Sequence, residues 1–191
     1  RGGTGRFLTD GLRPVVRVGA NADWSFVSGE CGIMYMKNGM VAFCFEHYVK
    51  TQSATQELYF AACFPYPLSK INQHLQVLQK CRQDIYVHSE CLVHSLAGRP
   101  IELWTITHAS NQSEKRQPPL QNLPSKSDRP WIFEGRSAVF ISARVHPGET
   151  PSSFMMQGLL DFLVSGSPVA DALLKRYVFH VVPVLNPDGV E

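Results

Sequence analysis

His146 and Glu149 stand three residues apart in the segment His146-Pro147-Gly148-Glu149, where Pro147 stiffens the chain and Gly148 lets it bend. An imidazole nitrogen and a carboxylate oxygen both suit zinc at about 2.0–2.2 Å, and two His with one Glu form a catalytic ligand set. The same four residues could equally be a solvated turn before a helix, with Glu149 present only to complement the helix dipole. Two donors do not make a site, because catalytic zinc takes three protein ligands and an open position. His180 falls in the middle of an apolar run, where a histidine of a sheet face is expected. His47, His74, His88, His94 and His108 lie in segments with no evident relation to the turn. The third ligand is therefore expected beyond Glu191.

The elements around this turn give it a place. Ala138 to Ser142 is a continuous apolar run of strand length. Thr150 and Pro151 then read as N-cap and first residue of a helix, with Phe154, Met155, Leu159, Phe162 and Leu163 as its apolar face and an end near Ser165-Gly166. A second helix from Pro168 to Arg176 leads into a strand from Tyr177 to Leu185. Strand, helical crossover and strand make a βαβ unit, whose all-apolar strands predict a mainly parallel sheet covered on both faces. Both loops that follow its strands, His146–Glu149 and Asn186-Pro187-Asp188-Gly189, then fall on one sheet edge, where open α/β folds carry their sites.

Upstream, Ile71, Leu75, Leu78 and Cys81 recur at helical spacing, with Ser69 as a plausible N-cap, and residues 101–107 alternate as a half-buried strand. Residues 109–130, with Pro118, Pro119, Pro124 and Pro130, read as an exposed loop. Residues 13–64 read as four or five short strands, with Asn38-Gly39 as a hairpin turn, which suggests an antiparallel sandwich. The predicted organisation is an all-β sandwich domain over 1–64, followed by an α/β part over 65–191.

Composition narrows the function. The 191 residues are 44% hydrophobic and 18% charged, enough to bury a core. Lys+Arg 18 against Asp+Glu 16 leaves a formal charge of only +2, so neither a nucleic acid nor an acidic membrane is expected as partner. The local excess of Arg1, Arg6, Arg13 and Arg17 over Asp10 reads as a solvated terminus. No apolar run approaches the ~18 residues of a membrane helix. Cys31, Cys44, Cys63, Cys81 and Cys91 have no metal-knuckle spacing and read as buried thiols of a reducing compartment, where the sequon Asn111-Gln112-Ser113 would go unused.

The stretch Arg144-Val145-His146-Pro147-Gly148-Glu149-Thr150-Pro151-Ser152-Ser153-Phe154, followed by Leu185-Asn186-Pro187-Asp188-Gly189-Val190, resembles the cytosolic carboxypeptidases, the tubulin-processing branch of the zinc carboxypeptidases. Cys63-Phe64-Pro65-Tyr66 resembles the junction at which that family's β-sandwich meets its catalytic domain. The likeness extends over most of residues 24–191 and is nearer the short members. It implies one Zn2+ per catalytic domain, with His146 and Glu149 as its first two ligands and Asn186–Gly189 as cleft wall. The third ligand (a His), the substrate-binding Asn and Arg residues and the general-base Glu would all lie beyond residue 191. The implied activity is removal of glutamate from polyglutamylated or C-terminal glutamate tails, typically tubulin's, by a cytosolic protein at microtubule-associated structures. On that reading residues 1–191 are the N-terminal part of the enzyme and inactive alone. The alternative is a truncated or pseudo-enzymatic product that binds a partner without catalysis.

Overall fold

The computed structural model describes residues 11, 13–49, 55–123 and 128–191. Arg1, Arg6, Asp10 and Pro124 lie outside the described residues. The chain divides into two compact units, Arg1–Pro65 and Tyr66–Glu191.

The first unit contains strands and no helix among its described residues. Val15–Val18 (β1) pairs antiparallel with both Ser25–Phe26 (β2) and Leu58–Ala61 (β5). Cys31–Tyr35 (β3) and Val41–Phe45 (β4) form a separate hairpin. The Asn38-Gly39 signal is met there. Gly39 takes a φ of +79°, open to glycine at little cost, and the Asn38 side chain accepts from the Met40 amide at 3.1 Å. None of the five cysteines is disulfide-bonded, but Cys31, Cys44 and Cys81 are exposed rather than buried.

The second unit runs α1 (Leu68–Cys81), β6 (Ile85–His94), β7 (Pro100–His108), β8 (Gln112–Arg116), β9 (Trp131–Phe133), β10 (Ser137–Ser142), α2 (Thr150–Leu163), α3 (Pro168–Arg176), β11 (Tyr177–Val182) and α4 (Pro187–Val190). Its main sheet has the order β10-β11-β7-β6. β10 and β11 are parallel, in register from Ser137↔Tyr177 to Ser142↔Val182, as the βαβ reading requires. The sheet is mixed but not mainly parallel among the described residues, because β11–β7 and β7–β6 are both antiparallel.

The difference comes from β6, which the sequence pattern hides. Its middle, His88-Ser89-Glu90, interrupts the apolar run, yet the fold holds Glu90 only 3% exposed by pairing it with Arg129, itself buried. Nor is 109–130 loop throughout, since β8 pairs with β9. Helix starts shift by a residue or two. α1 is capped at Pro67, not Ser69, and α2 at Glu149, so that Thr150 is its first residue and Pro151 its second. Each shift keeps a proline where its missing N–H costs no hydrogen bond.

α2 is apolar nearly all round, so its sequence does not mark one inner face. It buries Ser153, Met156, Leu160 and Leu163, while Met155 is 76% exposed and Phe154 and Phe162 are partly so. Leu78 of α1, Leu160 of α2 and Leu174 of α3 join Trp104, Ile106, Phe179 and Val181 in one core. These three helices therefore cover the same side of the sheet. The pleat turns His180 to the other side, contrary to a helix-covered position.

Candidate metal centre

The turn that carries His146 and Glu149 begins where β10 ends. Pairing with the following parallel strand continues past the strands themselves: the Ala143 amide donates to Val182 O at 3.0 Å, Leu185 to Ala143 O at 3.0 Å, and Asn186 to Arg144 O at 3.1 Å. Two chain segments thus run locked together up to the residue at which the turn departs. That residue, Arg144, adopts a φ of +56° and is 4% exposed. A left-handed conformation is uncommon for a residue with a Cβ and persists where surrounding contacts enforce it. The turn closes with the Glu149 amide on His146 O at 3.1 Å and the Thr150 amide on Gly148 O at 3.0 Å, and α2 follows directly.

A second loop supports the first. A Cβ on Gly189 would lie 2.6 Å from Pro147 Cγ and 2.9 Å from Pro147 Cβ, so only glycine lets α4 lie against the proline ring. The Asn186 side chain caps α4 by accepting from the Gly189 amide at 3.1 Å, and donates to Val145 O at 3.4 Å. Asp188 accepts from Ser95 Oγ at 2.6 Å, the Ala97 amide at 3.0 Å and Arg99 Nη1 at 3.2 Å. These bonds hold the Asp188 carboxyl below its usual pKa, the Ser95 hydroxyl contributing most, and tie α4 to the β6–β7 turn.

His146 and Glu149 are both exposed at this edge, at the two ends of one four-residue turn, and neither side chain hydrogen-bonds to another described residue. Glu149 is the N-cap of α2, yet its side chain makes no capping bond, which removes the simplest structural reason for a carboxylate there. An imidazole and a carboxylate left uncommitted on one stiffened turn fit a borderline-soft divalent cation. Among the described residues no group of three His, Cys, Asp or Glu side chains converges, so this turn supplies two donors and not a full set.

The remaining histidines are elsewhere. His74 bonds Asp161 at 2.7 Å, His47 accepts from the Ser28 amide at 3.3 Å, and His108 lies 3.7 Å from Asp84. His94 sits beside Cys91 Sγ at 3.9 Å, and His180 Nδ1 lies 3.3 Å from Thr105 Oγ1. The sequence reading brings Asp188 and Gly189 to this edge and quotes Arg144 in its motif, but misses how these three residues hold the turn. Gly189 and Asp188 carry a faint signal as part of a capped Asn-Pro-Asp-Gly helix start, whereas nothing in sequence marks a left-handed arginine.

A family model for the zinc carboxypeptidases (peptidase family M14) matches residues 71–191. The chain belongs to that family. The match contains the turn, both parallel strands and the supporting loop. Among relatives, human cytosolic carboxypeptidase-like protein 5 is 33% identical over 97% of this chain and 22% of its own length. Mouse cytosolic carboxypeptidase 6 is 35% identical over 95% of this chain and 30% of its own length. Zebrafish cytosolic carboxypeptidase 1 is 39% identical over 81% of this chain and 12% of its own length. The chain thus spans about a third or less of these relatives. A crystal structure of a Burkholderia cenocepacia metallo-carboxypeptidase superposes with a TM-score of 0.63 at 24% identity, covering 94% of this chain and 39% of that one, and attests the shared fold.

Proposed function

We propose that the protein containing this chain is a zinc metallocarboxypeptidase that removes glutamate from polyglutamylated or C-terminal glutamate tails of proteins, tubulin first among them, in the cytosol and at microtubule-associated structures. One observation carries the reading. In a chain of the zinc carboxypeptidase family, the two donors His146 and Glu149 stand exposed and uncommitted on one braced turn at the carboxyl end of a parallel strand. The glutamate preference is supported by the likeness to the cytosolic carboxypeptidases.

His146 and Glu149 would hold the ion, with a third histidine and the general-base glutamate drawn from sequence that follows residue 191. Zinc, when bound, polarises the scissile carbonyl and acidifies a water. This chain's part is to fix two donors rigidly and to present them at the cleft edge. Asn186–Gly189 walls that edge and holds Pro147 in place. The all-strand first unit is read as part of a β-sandwich preceding the catalytic part. Among the described residues no third donor joins His146 and Glu149, so residues 1–191 alone are expected to turn over nothing. The test is glutamate release from polyglutamylated tubulin by the full-length protein, before and after treatment with a chelator. Release that stops with the chelator and returns with zinc is expected; release indifferent to the chelator would refute the metal mechanism.

A further inference from the structure

Arg144 is buried, 4% exposed, and its guanidinium donates to acceptors from three places in the second unit. Its Nε and Nη2 both donate to Pro147 O, at 3.1 and 2.7 Å, and its Nη1 donates to Tyr66 O at 3.1 Å and to Ser153 Oγ at 2.9 Å. The first acceptor is the backbone at the centre of the His146–Glu149 turn. The others are the chain just before α1 and the first turn of α2. One planar guanidinium therefore fastens the turn to two helix starts, a task its rigid fork of donors suits and a lysine ammonium does not.

The backbone confirms that this is a built feature. Arg144 takes its φ of +56°, a strained choice, at the point where its own carbonyl is held by the Asn186 amide. That conformation directs the side chain back under the turn instead of outward. A merely solvated turn has no need of a buried arginine beneath it, and burying a guanidinium is costly unless its donors are satisfied. The same arrangement suits a turn whose two side chains must keep a fixed separation.

We infer that Arg144 is a positioning residue for the metal turn: by clamping the Pro147 carbonyl it sets the relative placement of His146 and Glu149 and so tunes affinity for the ion. This rests on the zinc carboxypeptidase reading above. Outer groups that orient metal ligands typically account for about 10–100-fold in affinity.

The test uses the full-length protein with Arg144→Gly and Arg144→Lys. Glycine accepts the left-handed backbone without strain, so it deletes the clamp while sparing the conformation. Zinc affinity is read by competition with a chelator, and amide exchange across 146–149 is read on the metal-free protein. Arg144→Gly should weaken zinc binding about 10-fold or more, speed exchange of the Glu149 amide, and lower kcat with little change in KM. Arg144→Lys should restore part of each loss. A glycine variant with lower melting temperature but unchanged zinc affinity and unchanged Glu149 exchange would overturn the inference, leaving Arg144 a structural residue. If the glycine variant does not fold, the lysine variant decides on the same readouts. If the unsubstituted protein binds no zinc, the functional reading fails, and the exchange arm alone still decides whether the clamp exists.

Discussion

At the scale of single residues, the candidate centre depends on positions that carry no reactive group. His146 and Glu149 stand out in the sequence as candidates, because their chemical types and spacing suit a metal, although they suit a solvated turn as well. Gly189 does not, since what matters is the 2.6 Å between its absent Cβ and the Pro147 ring, a long-range property. Arg144 does not, since no local rule places an arginine at positive φ. Substituting Gly189→Ala should push Pro147 away, for a proline ring cannot rotate aside as a flexible side chain can. The expected cost is about 1–3 kcal/mol of stability, typical of overpacking, together with weaker zinc binding. Denaturant melts and chelator competition on the variant check both. Unchanged zinc affinity would show that α4 does not brace the turn.

At the scale of elements, the βαβ unit was legible because two apolar runs flank helices that each open on a proline in the first turn, and α3 begins and ends where its Pro168 and Tyr177 suggest. β6 was not legible, because its polar centre is compensated from far along the chain by Arg129. The register places His88 opposite Thr105 and Thr105 opposite His180, a row across β6, β7 and β11 on the side away from the three helices. Burial lowers the pKa of both histidines, and Arg129 lowers them further while Glu90 opposes; Arg116 also lowers that of His88, against the Asp128 backbone. The sign follows from linkage. Unfolded chains take up protons near pH 6.5, whereas the folded unit resists protonation until lower pH. Stability contributed by neutral burial is therefore complete above about pH 6.5 and is lost as pH falls below it. Urea melts at neutral and mildly acidic pH should show the loss, and His180→Gln should flatten it. A slope unaltered in that variant would show that His180 does not contribute.

At the scale of the whole molecule, the expected class was reached from the order of elements, but the parallel character was overestimated. Among the described residues an antiparallel β6–β7 hairpin lies in the same sheet as the one parallel pair, and its turn holds Asp188. The sheet thus does two jobs: the parallel pair delivers two loops to one edge, and the hairpin anchors the second of them. His180 shows why position in the sheet outweighs residue type. It is a histidine in the right family, but it lies mid-strand, six residues before Asn186, on the face away from the helices. The measurement that decides the account is bound zinc per chain together with glutamate release, for His146→Ala, Glu149→Ala and His180→Ala in the full-length protein. The first two should lose zinc and fall in kcat rather than only rise in KM, while His180→Ala keeps zinc and rate and loses stability alone. Zinc lost from His180→Ala, or zinc and full rate kept by Glu149→Ala, would contradict it.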